Sequence, residues 1–93
     1  MRTIKRTSRF KRDYKRETRG RHRTTLDNDL IELLWVLAED RPMPLNYRDH
    51  ALTGNWSDHR DCHLYPDLIL IYRKPDGESL ELVRLGSHSE LGL

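Results

Sequence analysis

The clearest apolar pattern in the chain has the period of a helix. It is formed by five leucines spaced three or four residues apart: Leu26, Leu30, Leu33, Leu34 and Leu37. Such spacing gathers apolar side chains on one side of an α-helix, where they can pack on a core. Thr24 or Thr25 can cap the start of this helix, which should end before Pro42.

A shorter pattern before it predicts another helix. Ser8 offers an oxygen that can cap the first turn, and Phe10 and Tyr14, four residues apart, fall on one helical face. Gly20 is the expected end of this helix. Residues 2–7 alternate only poorly between polar and apolar, yet they can form a short strand.

The period changes in the second half of the chain. Residues 41–47, with two prolines, predict an irregular connection, and residues 60–64 then alternate as a half-buried strand does. Residues 68–72 are continuously apolar, which is typical of a central strand buried on both faces. A turn at Pro75, Asp76 and Gly77 leads to a third strand over residues 80–85.

These elements predict one α+β domain spanning residues 1–93. Two N-terminal helices are followed by an antiparallel meander, and both helices should pack on one face of the small antiparallel sheet. The other face would then be partly open for a ligand. Ninety-three residues can bury one small core but cannot also build a separate cofactor-binding domain, so no cofactor is expected.

Composition adds expectations about the compartment. No apolar stretch approaches the roughly 20 residues that span a bilayer, and the N-terminus has no apolar signal region. Cys62 is the only cysteine, so no internal disulfide can form, and a buried strand residue is its simplest interpretation. We therefore expect a cytosolic protein without a membrane partner.

Charge is distributed very unevenly along the chain. Residues 1–24 carry eleven Lys and Arg against Asp13 and Glu17, a net charge of +9, whereas the remaining residues carry −7. A solvated helix face is the simplest explanation of a charge run, but this excess favours contact with a polyanion such as RNA or DNA. Four basic residues of the first helix are candidate RNA contacts: Arg12, Lys15, Arg16 and Arg19.

Histidines and carboxylates gather beside the predicted strands. The candidates for proton transfer are His50, Asp61, His63, Asp67 and His88, and Arg60 and Arg84 on neighbouring strands could bind phosphate. Imidazole titrates near neutral pH, and a carboxylate can fix its orientation. Asp61 and His63 share one sheet face, and the following hairpin can fold Asp67 back towards His63. Taken singly, each histidine could instead be a solvated or hydrogen-bonded structural residue.

Rival chemistries have weaker signals. Asp61 and His63 resemble a fragment of a metal site, but no HExxH motif or cysteine pattern accompanies them. No Gly-rich phosphate loop and no GxSxG turn is present. The remaining histidines and the tryptophans are interpreted as surface and packing residues respectively: His22, His59, Trp35 and Trp56.

Two segments make the chain resemble a known family. YRDHALTGNWSDHRDCHLYPDLILIYR and the later LVRLGSHSEL are similar to the YafQ branch of the RelE/ParE toxin superfamily. The resemblance spans residues 47–91, about half of the chain, and several polar positions at fixed spacing carry it. It implies the RelE-like fold of microbial ribonucleases.

The resemblance also implies a function. Such a toxin of a type II toxin–antitoxin system is a ribosome-dependent, metal-independent endoribonuclease that cuts mRNA in the A site and is held inactive by a cognate antitoxin. By motif position, the family's active-site residues fall on His50, Asp61, His63, Asp67 and His88. The expected partners are mRNA, the ribosome with its 16S rRNA, and the antitoxin, with operator DNA contacted only through the antitoxin complex.

One departure from the family pattern concerns an aromatic ring. The family often ends in HxxLF, which places a ring near the cleaved nucleotide, whereas this chain has Gly92 after Leu91. Leu93 could substitute only as an apolar contact. The missing ring therefore predicts weaker base stacking or an altered codon preference.

The implied chemistry uses the 2′-hydroxyl of RNA as its nucleophile. His50 or His63 would be the base, with Asp67 supporting it, and His88 the acid. Arg84 or Arg60 would stabilise the phosphorane charge. The rival functions are a non-enzymatic, ParE-like toxin that binds DNA gyrase and a simple RNA-binding module, neither of which needs the histidine and aspartate set.

Overall fold

The computed structural model describes all of residues 1–93 and contains three helices and five strands. In chain order the elements are β1 Thr3–Arg6, α1 Ser8–Glu17, α2 Leu26–Ala38, β2 His50–Ala51, β3 Arg60–Tyr65, β4 Leu68–Arg73, β5 Ser79–Gly86 and α3 His88–Leu91. Short 3-10 turns occupy Leu45–Tyr47 and Gly54–Trp56. The predicted helices and the three longer strands are confirmed.

The five strands form one sheet in the order β1-β5-β4-β3-β2. The predicted antiparallel meander of β3, β4 and β5 is confirmed, and β2 extends it by two residues. The sheet is mixed rather than purely antiparallel, because β1 pairs with β5 in parallel. The whole chain from α1 to β4 lies between these two strands and supplies the long connection that a parallel pair requires.

The core lies on both faces of the sheet. Fourteen buried residues, including Phe10 of α1 and the leucines of α2, fill the space between these helices and one face. On the other face, Ile69 and Ile71 pack under Leu91 of α3. The expectation that β4 is buried on both faces is confirmed, and α3 covers part of the face that was expected to be open.

The third helix has a start signal that was visible in the sequence. Ser87 accepts a hydrogen bond from the backbone N–H of Glu90, and the Glu90 carboxylate accepts one from the N–H of Ser87. This reciprocal cap satisfies two backbone donors that a short helix otherwise leaves free. It fixes the direction in which α3 leaves the end of β5.

Helix α1 takes the place of a sixth strand beside the end of β5. Strand β1 covers the edge of β5 only as far as Leu82. Beyond it, the Asp13 carboxylate accepts the Leu85 N–H at 3.0 Å, and Arg16 donates to the Leu85 carbonyl at 2.9 Å. Side chains of α1 thereby satisfy the strand edge that β1 leaves unpaired.

The cysteine and the two tryptophans can also be compared with the expectations from the sequence. Cys62 is buried in β3 as expected, and burial raises the pKa of its thiol. Trp56 packs beside Ile69 and Ile71, whereas Trp35 is 48% exposed on α2. No helix has both the length and the apolar composition needed to cross a bilayer.

Candidate active site

Three elements bring the candidate histidines together on the sheet face opposite α1 and α2. Asp61 and His63 alternate with buried core residues of β3, so both point away from the helices. His50 of β2 is the register partner of Asp61. His88 begins α3 directly after β5, and its imidazole lies edge-on to that of His63, with ring centroids 5.3 Å apart and planes at 63°.

His50 and Asp61 form a close electrostatic contact. Nδ1 of His50 lies 2.9 Å from Oδ1 of Asp61, but its hydrogen bond is directed at the Arg48 carbonyl oxygen 3.0 Å away. The Asp61 side chain is 3% exposed, and its Oδ1 receives no hydrogen bond. A buried carboxylate oxygen without a hydrogen-bond donor is costly in a folded protein, and such cost is typical of functional sites.

Burial shifts the two titrating groups of β3 in opposite directions. It raises the pKa of Asp61, although His50, His63 and His88 oppose the shift when they are protonated. Burial also lowers the pKa of His63 below its ordinary value of 6.5, with Asp61 opposing and His88 and Arg48 contributing. Near neutral pH, His63 is therefore an uncharged imidazole that can accept a proton.

A cleft of about 460 Å³ opens beside this group. It is lined by the end of β3, the start of α3 and the turn before β2: Asn46, Arg48, His63, Leu64, Tyr65, Pro66 and His88. Five of its seven lining residues carry polar or charged side chains, which suits a polar ligand such as an oligonucleotide segment better than an apolar small molecule. Two imidazoles and one guanidinium can thus contact the same bound group.

This arrangement agrees with a known toxin family. Residues 2–92 match the family described as bacterial toxin of type II toxin-antitoxin system, YafQ. The chain belongs to the YafQ family. The resemblance to the YafQ branch that the segments around His50 and His88 indicated is confirmed, and it extends over the basic N-terminal part as well.

Relatives of this family match nearly the whole chain. The mRNA interferase toxin YafQ of Escherichia coli strain B / BL21-DE3 is 36% identical over 91 residues, which cover 97% of this chain and 95% of that protein. A chain of the E. coli DinJ–YafQ complex is 34% identical, covers 98% of both chains and has a TM-score of 0.82. A metal-bound toxin from Helicobacter pylori is 39% identical, covers 98% of this chain and 99% of that one, and has a TM-score of 0.81.

Asp67 lies elsewhere than its position in the YafQ motif led us to expect. Its carboxylate binds Nε2 of His22 at 2.8 Å and Arg21 at 3.2 Å, and these hydrogen bonds lower its pKa. The expectation that the hairpin folds it back onto His63 is therefore wrong. His22 is likewise not a simple surface residue, because its side chain is 21% exposed and stacks on Tyr65.

The two strand arginines expected at the phosphate are already paired. Arg84 binds the buried Asp13 carboxylate at 2.7 Å and is 13% exposed. Arg60 binds Asp49 at 2.8 Å, and Asp49 also accepts the Tyr72 hydroxyl. A guanidinium held in such a pair must give up a partner before it can bind phosphate.

The four basic residues predicted to contact RNA lie on α1, except Arg19, which follows its end, and they divide into two groups. Arg12, Lys15 and Arg19 are exposed and form no ion pair, so they remain available to a polyanion. Arg16 is exposed too, but it contacts Asp13, Glu17 and the Leu85 carbonyl. Arg16 therefore has a structural role beside any contact with RNA.

The remaining site features concern metals and the missing ring. No three His, Cys, Asp or Glu side chains lie in an arrangement that could hold a metal ion. Gly92, which stands where the YafQ pattern has an aromatic residue, adopts a φ of 71° that favours glycine. Its backbone ends α3 in the left-handed conformation, which is the usual way to stop a helix.

Sequence reasoning missed three residues of the cleft and its wall. Arg48 and Asn46 lie in the connection that had no periodic pattern, and Tyr65 lies between two residues of the family motif. The only signal for Arg48 was its place two residues before His50. For Tyr65 the signal was an aromatic residue at a strand end beside His63.

Proposed function

We propose that this chain is an mRNA interferase toxin: a metal-independent endoribonuclease that cuts mRNA in the ribosomal A site and is silenced by a cognate antitoxin. The observation that carries the proposal is the pair of imidazoles, His63 and His88, that lines one polar cleft beside the buried Asp61. Proton transfer to and from RNA needs such a pair. A protein that acts only by binding does not.

His63 is the general base of this mechanism. The lowered pKa of His63 keeps it neutral near pH 7, so it can take the proton of the ribose 2′-hydroxyl. The 2′-oxygen then forms a bond to the adjacent phosphorus, and the bond from phosphorus to the 5′-oxygen breaks. The products are a 2′,3′-cyclic phosphate and a 5′-hydroxyl.

His88 is the general acid. Its ring lies edge-on to that of His63, with centroids 5.3 Å apart, and both rings line one cleft, so the two imidazoles can reach the same phosphodiester group from that side. As the imidazolium, it donates the proton that the departing 5′-oxygen needs. Asp61 and His50 do not need to contact RNA for this chemistry, since the Asp61 charge acts on the neighbouring imidazoles from its buried position.

Arg48 is the best-placed residue to stabilise the phosphorane charge. It lines the cleft and is exposed, and its guanidinium forms no ion pair. Arg60 and Arg84, by contrast, are held by Asp49 and Asp13. An available guanidinium beside two imidazoles supplies the electrostatic stabilisation that phosphoryl transfer requires.

The partners follow from the same surfaces. The exposed Arg12 and Lys15 of α1 and Arg19 just after it would contact rRNA, and the cleft would receive the A-site codon. A related YafQ is found in complex with DinJ. A cognate antitoxin would silence this chain by covering the cleft or crowding His88, and the toxin would reach operator DNA only within that complex. Asp67 stays a proposed site residue only indirectly, because it binds His22, which stacks on Tyr65 of the cleft.

The test compares His88→Ala and His63→Ala with His59→Gln as a matched control. Each of the first two variants should reduce mRNA cleavage on programmed ribosomes by about 10²-fold to 10⁴-fold. Cells that express either variant should no longer stop growing, and its affinity for the antitoxin should stay within about tenfold of the wild-type value. His59, which packs edge-on to Trp56 outside the cleft, should tolerate its change. Growth arrest by His88→Ala with uncut mRNA would indicate a ParE-like gyrase binder instead.

Metal independence is tested separately. Cleavage should persist after divalent ions are chelated, provided that polyamines keep the ribosomes intact. Sucrose-gradient profiles of treated and untreated ribosomes serve as the control. Selective restoration of lost cleavage by Zn²⁺ or Mn²⁺ would show that a metal takes part.

A further inference from the structure

The cleft has one tyrosine in its wall. Tyr65 lines the same cleft as His63 and His88. It follows His63 by two residues at the end of β3, where a bulge interrupts the pairing with β4. A tyrosine side chain in the cleft can offer a π-surface to an unstacked base.

The Tyr65 ring is held in one orientation. The His22 imidazole stacks on it, with centroids 3.9 Å apart and planes at 15°. Its hydroxyl donates to Asp29 at 2.5 Å and lies 2.8 Å from the Thr25 hydroxyl. A ring fixed at both ends loses little conformational entropy when a ligand stacks on it.

His22 is in turn fixed by Asp67. Its Nε2 lies 2.8 Å from the Asp67 carboxylate, which also binds Arg21. The loop between α1 and α2 therefore supports Tyr65 from outside the cleft. This assembly, which we name the Tyr65 platform, consists of Tyr65, His22 and Asp67.

We propose that the Tyr65 platform binds a nucleobase of the RNA substrate by stacking. The inference rests on the proposed ribonuclease function and names a contact for that same site. Other large aromatic rings are not available in the cleft, because Trp56 packs with Ile69 and Ile71 and Trp35 lies on the outer side of α2. Tyr65 is thus a substrate-binding residue, and His22 is a positioning residue.

The first measurement compares Tyr65→Leu with Tyr65→Phe. Loss of the ring should raise the KM for ribosome-bound mRNA about 5-fold to 150-fold, the effect of losing one base–aromatic stack. The single-turnover rate at saturation should change by less than about threefold, because no proton-transfer group is removed. Tyr65→Phe keeps the ring and should stay within about threefold of wild type in KM.

The second measurement separates stacking from a structural effect. Wild type and Tyr65→Leu are each assayed on mRNA with an intact A-site codon and on mRNA with one abasic position in that codon. If Tyr65 stacks on that base, wild type loses affinity when the base is removed, and Tyr65→Leu loses no more than about twofold further. Independent, additive losses at all three codon positions would overturn the platform.

A positioning role for His22 predicts a third result. His22→Gln keeps a hydrogen-bond donor for Asp67 but removes the stacked ring. A 2-aminopurine base in the A-site codon, carried on mRNA with a non-cleavable 2′-O-methyl group, should be quenched by wild type and less by His22→Gln. Equal quenching by both proteins would exclude His22 from the platform.

The outcomes distinguish this inference from the proposed function. If wild type cuts mRNA and the ring variants cut it with unchanged KM, the platform is wrong and the ribonuclease assignment stands. If wild type cuts no mRNA on programmed ribosomes, the proposed function fails and the platform fails with it. Circular dichroism and thermal unfolding of Tyr65→Leu confirm that the variant compared is folded.

Discussion

At the scale of single residues, the site depends on two neighbours in β3 that share one environment. Burial raises the pKa of Asp61 and lowers that of His63, because the same loss of water disfavours the charged form of each. The protein thereby keeps one imidazole of the cleft neutral near pH 7. Pairs of groups whose pKa values are pushed apart are typical of acid–base sites.

The pH dependence of cleavage follows from His63. The reaction requires neutral His63, so the single-turnover rate should fall in acid with a midpoint below 6.5. Asp61 opposes the lowering, and Asp61→Asn should therefore move the midpoint further into acid. A stopped-time assay on programmed ribosomes between pH 5 and 8 measures both, and a wild-type midpoint at or above 6.5 would contradict the assignment.

Asp61→Asn should also change the stability of the fold. A carboxyl whose pKa is raised on folding stabilises the protein below its unfolded value of 3.8, and this contribution is lost as the pH rises through the folded value. Asp61→Asn should accordingly raise the melting temperature relative to wild type at pH 7 and raise it less, or not at all, at pH 3.5. A lower melting temperature at pH 7 would indicate that the charge stabilises the fold.

At the scale of elements, α1 acts as a cover for the free edge of β5. Asp13 is the centre of this contact: it accepts the Leu85 N–H and binds Arg84 and Arg16 while its side chain is 5% exposed. Arg16 also lies 3.5 Å from Glu90, which caps α3. The helix that carries His88 is therefore linked to α1 through the end of β5.

Replacing Asp13 tests that link. Asp13→Ala leaves Arg84 without its partner and the Leu85 N–H without an acceptor, and it should lower the free energy of unfolding by about 3–5 kcal/mol. The control is Glu32→Ala on the exposed side of α2, which should change it by no more than about 0.5 kcal/mol. Urea unfolding measures both, and equal effects would show that the Asp13 network contributes little.

At the scale of the whole molecule, charge is separated between the two parts of the chain. The first 24 residues carry a net +9 and the rest −7. Part of the positive charge is used inside the fold, since Arg2 and Arg16 bind Asp40 and Asp13. The exposed remainder on α1 is available to attract a polyanion at long range.

Removal of that exposed charge should weaken ribosome binding. Changing Arg12, Lys15 and Arg19 to Ala should change the free energy of unfolding by no more than about 0.5 kcal/mol for each residue. The slope of log binding affinity against log salt concentration, called the salt slope below, should become shallower by about two to three. Arg16 is left in place because it supports Leu85.

The matched control removes three charges from the other part of the chain. Changing Arg41, Arg73 and Lys74 to Ala removes three positive charges, as the first triple variant does. These three residues form ion pairs with acidic neighbours, so they are less available to a polyanion. Their change should alter the salt slope by less than about one. Equal slopes for both triple variants in a filter-binding titration would assign the effect to net charge alone.

Local pattern was sufficient for most of the architecture. The leucine series of α2 has the period of a helix, and the apolar run of β4 is short, bounded by turns and therefore typical of a buried strand. Both elements are present as expected. The spacing of Asp61 and His63 predicted a shared face, because residues two apart in a strand point the same way. The pairing of β2 with β3, which brings His50 to the same face, was not predicted. Strand β1 was expected, but its parallel partner was not, since pairing across the chain leaves no local signal.

The sequence by itself therefore determined the two longer helices, the strands β1, β3, β4 and β5, the α+β class and the family, because periodicity and motif spacing are properties of neighbouring residues. It did not predict β2 or α3. Only the tertiary structure decided which polar groups bind each other. Arg84 is paired with Asp13, 71 residues away, and Asp67 with His22, 45 residues away. Hydrogen bonds depend on atomic positions that the packing of the whole chain sets, so a sequence can name the titratable groups without assigning their partners.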